Sequence, residues 1–243
     1  MNKTASFRFF ICALQQPPFR IQVATPPGSD SFALNSPPMR EEFISAIRTN
    51  QKAFDLELSD KKIGALADYF ELIQQDNPIL HLVAPCSPEE FAVRHVLESL
   101  TLLEFLPRYS RFADVGTGAG LPSIPCLIVR DDLRAVLIES KEKKVGFLQK
   151  VLGDSQLEER GKIIHRQFAE AKRPDVSYVT CRALDRFVQN LPRLLRWAGD
   201  FTLLFFGGPS LREELSRSDV RFREKLLPMS EQRFLFISER GLR

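Results

Sequence analysis

Residues 111–122 read Arg-Phe-Ala-Asp-Val-Gly-Thr-Gly-Ala-Gly-Leu-Pro, and this stretch decides the fold. An apolar run reaching Asp114 is followed at once by Gly116, Gly118 and Gly120, and then by a helical pattern near 121–130. Strand, glycine-rich turn and helix in that order form the first unit of a doubly wound sheet, whose ligands bind at the carboxyl ends of strands. Glycines let such a turn adopt unusual dihedrals and let the backbone approach a ligand without a Cβ in the way. The spacing is G-x-G-x-G, not the G-x-G-x-x-G of dinucleotide sites, and the Gly-Lys-Ser/Thr ending of a phosphate loop is absent. Alone, the segment implies a nucleotide-like ligand at a first-strand turn.

Working downstream, β-rich runs alternate with helical ones. RAVLIES precedes a helix near 141–153, KIIHRQF and VSYVTCRA follow, and a helix near 184–198 leads to DFTLLFFGG. A short helix near 210–218 comes next, then RFREKLLPM and QRFLFISER. Alternation of this kind predicts parallel strands joined by right-handed crossovers, with helices on both faces. The last two runs are separated only by Ser230 and Glu231, too few for a crossover helix, so they pair as an antiparallel hairpin. The expected fold is α/β, a Rossmann-like, mostly parallel seven-stranded sheet over residues 111–243.

Upstream the pattern is helical, and residues 39–110 read as a small cap. Residues 40–54 form one amphipathic candidate. A second starts after Ser59, with Ile63, Leu66, Ala67, Phe70 and Ile73 on one face, and is expected to end near Asn77-Pro78. A third has Ser87 as N-cap, Pro88 at the first position and Glu90 completing a capping box, and stops before Pro107. Residues 1–38 carry three Pro-Pro pairs and no sustained period, which reads as an unstructured extension or as a start codon set too early, ahead of Met39.

Composition narrows little. The chain has 243 residues and a formal net charge of +3, which permits RNA binding without demanding it. Cys12, Cys86, Cys126 and Cys181 form no CxxC pair, and no histidine stands at metal-ligand spacing, so neither zinc nor a disulfide framework is expected. No apolar stretch approaches the ~20 residues that span a bilayer. A monomer with reduced thiols in the cytoplasm is the reading.

Glu139 ends the second strand roughly twenty residues past the glycine loop, where an acid can accept both ribose hydroxyls. Ala169-Glu170, after the third strand, occupies the position that lines an adenine pocket in related sheets. The glycine spacing with its strand-end acid resembles motif I of class I methyltransferases, whose loop wraps the amino-acid part of S-adenosyl-L-methionine.

The resemblance then becomes specific. FADVGTGAGLPSIPCLIV, FAVRHVLESL, ESKEKKVGFLQKV and VTCRALDRF are similar, in order, to motifs of the bacterial small-subunit ribosomal RNA guanine-N7 methyltransferases, the RsmG family. The likeness covers about residues 40–240. It implies cofactor contacts at Gly116, Leu121, Ala169, Glu170 and Arg182. Asp114, Gly118, Gly120, Glu139 and Ser140 join them from the general fold, and Arg94 and His95 are placed at the active-site mouth. It also implies 16S ribosomal RNA, or the small subunit, as partner. Three departures stand out: Phe206 where the family commonly has lysine, Cys181 where it has serine, and glutamate rather than aspartate at 139.

The chemistry agrees by omission. N7 of guanine has a lone pair and no hydrogen to lose, so methylation there needs in-line positioning and no general base. No Asn/Asp-Pro-Pro-aromatic tetrad of amine methylation follows the fourth strand, and Pro125-Cys126 sits inside a helix as a packed thiol. Phosphate contacts are expected from Lys141, Lys143 and Lys144 at a helix start, with Arg193 and Arg196. Two alternatives stay open: methylation of a small molecule or protein, and a non-catalytic RNA-binding or assembly protein of the same fold.

Overall fold

The computed structural model describes residues 39–182, 184 and 186–238. The reading of 1–38 as an extension, Cys12 and Ala183 lie outside the described residues. The cap begins with α1 (Met39–Asn50), a 3-10 turn (Gln51–Phe54) and α2 (Asp60–Leu80). A third rod is composite: α3 (Pro88–Glu90), a π-helical segment (Phe91–Leu97), α4 (Glu98–Leu100) and a 3-10 turn (Thr101–Phe105).

Two local expectations are corrected here. Helix α2 runs through Pro78 and ends instead at His81, which adopts a left-handed conformation. Pro78 is exposed near the last turn, so its missing N–H leaves only one carbonyl without its helical donor. The end is fixed by Asn77, whose carbonyl accepts from the His81 N–H and whose Oδ1 accepts from Leu82 and Val83 at 2.8 and 3.0 Å. The capping box is half formed. Ser87 Oγ accepts from the Glu90 N–H at 3.0 Å, but the Glu90 carboxylate pairs with Arg94 one turn on, a charge-assisted bond stronger than a return to the backbone.

The sheet follows: β1 (Arg111–Val115), α5 (Ser123–Val129), β2 (Arg134–Glu139), α6 (Glu142–Asp154), β3 (Gly161–His165), a 3-10 turn (Phe168–Glu170) and β4 (Tyr178–Arg182). It continues with α7 (Phe187–Ala198), β5 (Thr202–Gly207), α8 (Pro209–Ser216), β6 (Phe222–Leu226) and β7 (Phe234–Ser238). Strand order is β3-β2-β1-β4-β5-β7-β6. Strands β1 to β5 pair in parallel, while β7 runs antiparallel to both β5 and β6, as expected, although residues 227–233 connect β6 and β7 where the sequence reading left only Ser230 and Glu231 between them. The chain switches direction across the sheet at β1/β4, which opens a crevice above their carboxyl ends.

Alternation sorts the strands onto two cores. On one face Phe112, Leu137, Leu204 and Leu235 bury against α5, α6 and the cap, in a single cluster that begins at Phe43. On the other, Ala113, Ile138, Val179 and Phe205 bury against α7 and α8. The cap therefore extends one helical layer of the sheet. The β3–β4 crossover differs from its neighbours, carrying one 3-10 turn where the others carry a helix. That turn is pinned by Phe168 against Trp197 (6.1 Å, edge-on) and by Trp197 Nε1 donating to the Ala171 carbonyl at 3.0 Å.

Candidate active site

The crevice holds a cleft of about 450 Å³, within the range of small-molecule sites. One wall is the turn after β1. Asp114, fully buried, accepts at the same Oδ2 from Thr117 Oγ1 and Ser123 Oγ, each at 2.7 Å, so one carboxylate oxygen ties both ends of the glycine turn. Its Oδ1 is buried without a partner. Asp114 thus holds the turn from behind and does not line the cleft. Gly116 has φ +69°, which strains any residue with a Cβ, and a Cβ there would also force Leu184 Cδ1, at 2.4 Å, to shift.

Glu139 ties the turn to the next strand. Its Oε2 accepts from the Gly118 N–H at 3.0 Å, and its Oε1 from the Ser140 and Lys141 N–H groups at 2.8 and 2.9 Å. The carboxylate faces the cleft with three backbone donors already engaged and lone pairs left for a diol. From the cap, the buried Tyr69 hydroxyl donates to the Ala119 carbonyl at 2.9 Å, fastening α2 to the turn.

The opposite wall is built by an ion cluster. Arg182, at the end of β4, donates to Ser99 Oγ at 3.1 Å, to the Arg94 carbonyl, and to Glu98 Oε2 at 3.3 Å. Glu98 is 1% exposed and its other oxygen accepts from Arg233 Nε at 2.7 Å. One buried carboxylate thus serves two arginines from different elements, and the π-helical segment is stapled to β4. The Arg182 guanidinium also lies 5.5 Å above the Phe206 ring, where the family commonly has lysine. His95 sits between these cations and the Phe91 ring. Burial, then Arg182, Arg94 and Arg233, push its imidazole down to about 3, so it is neutral at physiological pH.

Gly116, Gly118, Leu121, Glu139, Ser140, Arg182 and His95 line the cleft together, as do Lys141 and Lys144. Asp114, Gly120, Ala169, Glu170 and Arg94 do not. Gly120 lies against Ile124 and Leu148, the 3-10 turn bearing Ala169 and the exposed Glu170 packs toward Trp197, and Arg94 turns to Glu90. Sequence reasoning missed Leu82, Val83 and Ala84, an apolar wall after α2, together with Leu184 and the keystone Glu98. A charge set among the apolar positions of the third rod was the available signal for Glu98.

Cys126 is buried and donates to the Ser99 carbonyl at 3.5 Å, and burial pushes its thiol up, which removes it as a nucleophile. Among the described residues no cluster of three or more His, Cys, Asp or Glu stands ready to hold a metal, and no helix is long and apolar enough to cross a membrane.

Asp114 carries a testable pH dependence. Burial, reinforced by Glu139, pushes its carboxyl up to about 7, against the two hydroxyl donors. A carboxyl raised in the native state binds its proton there more readily than in the unfolded chain, so stability falls as pH rises between about 4 and 7. Relative to Asp114→Asn, which keeps an acceptor for both hydroxyls, the wild type is expected to lose up to ~1.4 kcal/mol per pH unit across that window. Urea unfolding from pH 5 to pH 8 measures it, and parallel curves for the two proteins would contradict it.

A family model described as rRNA small subunit methyltransferase G (GidB) matches residues 62–227. A "Ribosomal RNA small subunit methyltransferase G" from Pelotomaculum thermopropionicum is 34% identical over 71% of this chain and 75% of its own length. The protein of the same name from Desulfotalea psychrophila is 32% identical, over 74% and 86%. Among solved structures, the pyocyanin biosynthetic protein PhzM shares the fold at TM-score 0.51 and 17% identity, over 70% of this chain and 61% of that one. Matching the family model over more than half its length, and these relatives over most of theirs, the chain belongs to the rRNA small subunit methyltransferase G family.

Proposed function

We propose that the protein transfers the methyl group of S-adenosylmethionine to N7 of a guanine in small-subunit (16S) ribosomal RNA, in the cytoplasm. The observation that carries this reading is that, among the described residues, no competent general base lines the cleft. Its imidazole, His95, has been pushed down to about 3, and its carboxylate, Glu139, is engaged by three backbone N–H groups. An amine or hydroxyl acceptor would have to lose a proton on methylation. Guanine N7 has none to lose, so a site built for positioning is sufficient.

The residues fit the cofactor. Gly118 opens on the cleft, since a Cβ there would find nothing nearer than 3.8 Å, and this leaves a cradle against the backbone. Glu139 is placed to accept ribose hydroxyls, and Leu82, Val83 and Leu121 offer apolar surface to a flat base. When bound, the sulfonium supplies an electrophilic methyl group. The chain's own part is to hold the cradle through Asp114 and Glu139, exclude water with the α2–α3 loop, and fix Arg182 and His95 at the entrance.

The test is ribosomal RNA from cells with and without the gene, probed by borohydride–aniline cleavage. Loss of one cleavage site in 16S RNA without the gene is the expected result. An unchanged pattern would sink the substrate assignment and favour a small-molecule or protein acceptor.

A further inference from the structure

The other end of the sheet carries a second cleft, of about 440 Å³, that the methyl-transfer site does not use. Helices α5 and α6 cover one face of the sheet, while α7 and α8 lie on the other over β4 and β5. Because the β3–β4 crossover has only a 3-10 turn, the second face of β2 and β3 is left open toward their amino ends. Val136, Ile164 and Val176 form its partly buried apolar floor.

Six cations line it: Arg111, Arg134, Arg160, Lys162, Lys172 and Arg173, against two carboxylates, Glu159 and Asp175. That is a surplus of +4 in one cleft, when the entire chain carries +3. Strand register concentrates the charge. Arg111 is the direct neighbour of Arg134, and Lys162 the neighbour of Val136, all on the same face. Like charges set side by side on a sheet are destabilising. The counter-charges are exposed or distant: Asp175, 90% exposed, holds Arg111, Asp200, also 90% exposed, holds Arg173 at 2.5 Å, Asp131 lies 4.0 Å from Arg160, and Arg134 donates to the Glu159 carbonyl. Lys162 and Lys172 have no partner among the described residues.

We infer that this cleft is a docking surface for the phosphodiester backbone of the RNA substrate, with sugars or bases lying on the apolar floor. Charge complementarity selects the occupant, since closely spaced cations that outnumber the acids lining the cleft, with Lys162 and Lys172 unpaired among the described residues, suit a chain of regularly spaced phosphates. The inference rests on the proposed RNA substrate. Strands of five to six residues separate the two clefts by about 20 Å, so this surface grips a segment distinct from the one bearing the target base.

The experiment uses the full chain and a fluorescein-labelled 24-nucleotide uridine RNA, with anisotropy followed against KCl. Lys162→Glu/Lys172→Glu is expected to weaken binding at least tenfold. Lys162→Gln/Lys172→Gln should lower the slope of log K against log salt by about 1.4, two phosphate contacts at ~0.7 each. Calorimetric S-adenosylmethionine binding stays unchanged, and KM for 30S subunits rises at constant kcat. Unchanged affinity and slope would overturn the proposal, as would an equal loss in Lys52→Gln, which lies on the cap. A dimer that the charge reversals dissociate while RNA affinity holds would overturn it too, assigning the face to a second copy. Failure of the wild type to methylate ribosomal RNA is read separately, from the cleavage assay, and counts against the function rather than the cleft.

Discussion

Glu98→Ala is expected to lower the free energy of unfolding by about 3–5 kcal/mol, the usual cost of removing one partner from a buried ion pair. The cost is high because two guanidinium groups depend on that carboxylate. The Arg182 side chain is 14% exposed and Arg233 34%, so neither can recover full hydration where it stands. Burial already pulls the Arg182 guanidinium down, and Glu98 is the first group opposing that shift. Taking away the arginine as well removes the stranded charge. Glu98→Ala/Arg182→Ala should therefore cost clearly less than the two single changes added together, with a coupling of at least ~1 kcal/mol. Urea unfolding of the three variants measures this. Strictly additive losses would show that the carboxylate and Arg182 do not act as a pair.

Gly118→Val should have the largest effect on ligand binding with a small effect on the fold. A Cβ at 118 enters open space, so no packing is lost, but the branched side chain fills the cradle left for the cofactor. Its φ of +58° adds a left-handed penalty of about 1–2 kcal/mol for a residue with a Cβ. In a chain of this size that amounts to a fall in Tm of roughly 2–8 °C. S-adenosylmethionine affinity, measured by calorimetry, is expected to fall at least 100-fold, and methylation of small subunits with it. Undiminished binding would move the cofactor away from this turn.

The parts legible in the sequence were those set by short-range backbone requirements. The Asp114–Gly120 turn declares itself because strand, glycines and helix adjoin in the chain, and the β6–β7 hairpin because the connection is too short for a crossover helix, although it runs over residues 227–233 and not the two residues between the apolar runs. Glu139 was readable as a strand-end acid, though not its grip on the Gly118 N–H, which comes from a turn 21 residues away. The Glu98–Arg182 contact joins residues 84 apart. No periodicity encodes such a meeting, and the acid looks like a stray charge until β4 arrives beside it. Pro78 misled because its rule concerns helix interiors, whereas the neighbouring Asn77 supplies a cap that lets the helix run on to His81. Asp114 is expected among the cofactor contacts from the general fold. In the structure its carboxylate is held by two hydroxyls, Thr117 in the turn and Ser123 at the start of α5.

The bond from Trp197 to the Ala171 carbonyl has an optical consequence. Trp197 is the chain's one tryptophan, and Ala171 immediately precedes Lys172 and Arg173. Its indole emission therefore reports a single environment, beside the segment leading into the cationic cleft and outside the lining of the cleft at the carboxyl ends. A ligand that orders the Lys172–Arg173 segment is expected to change that emission.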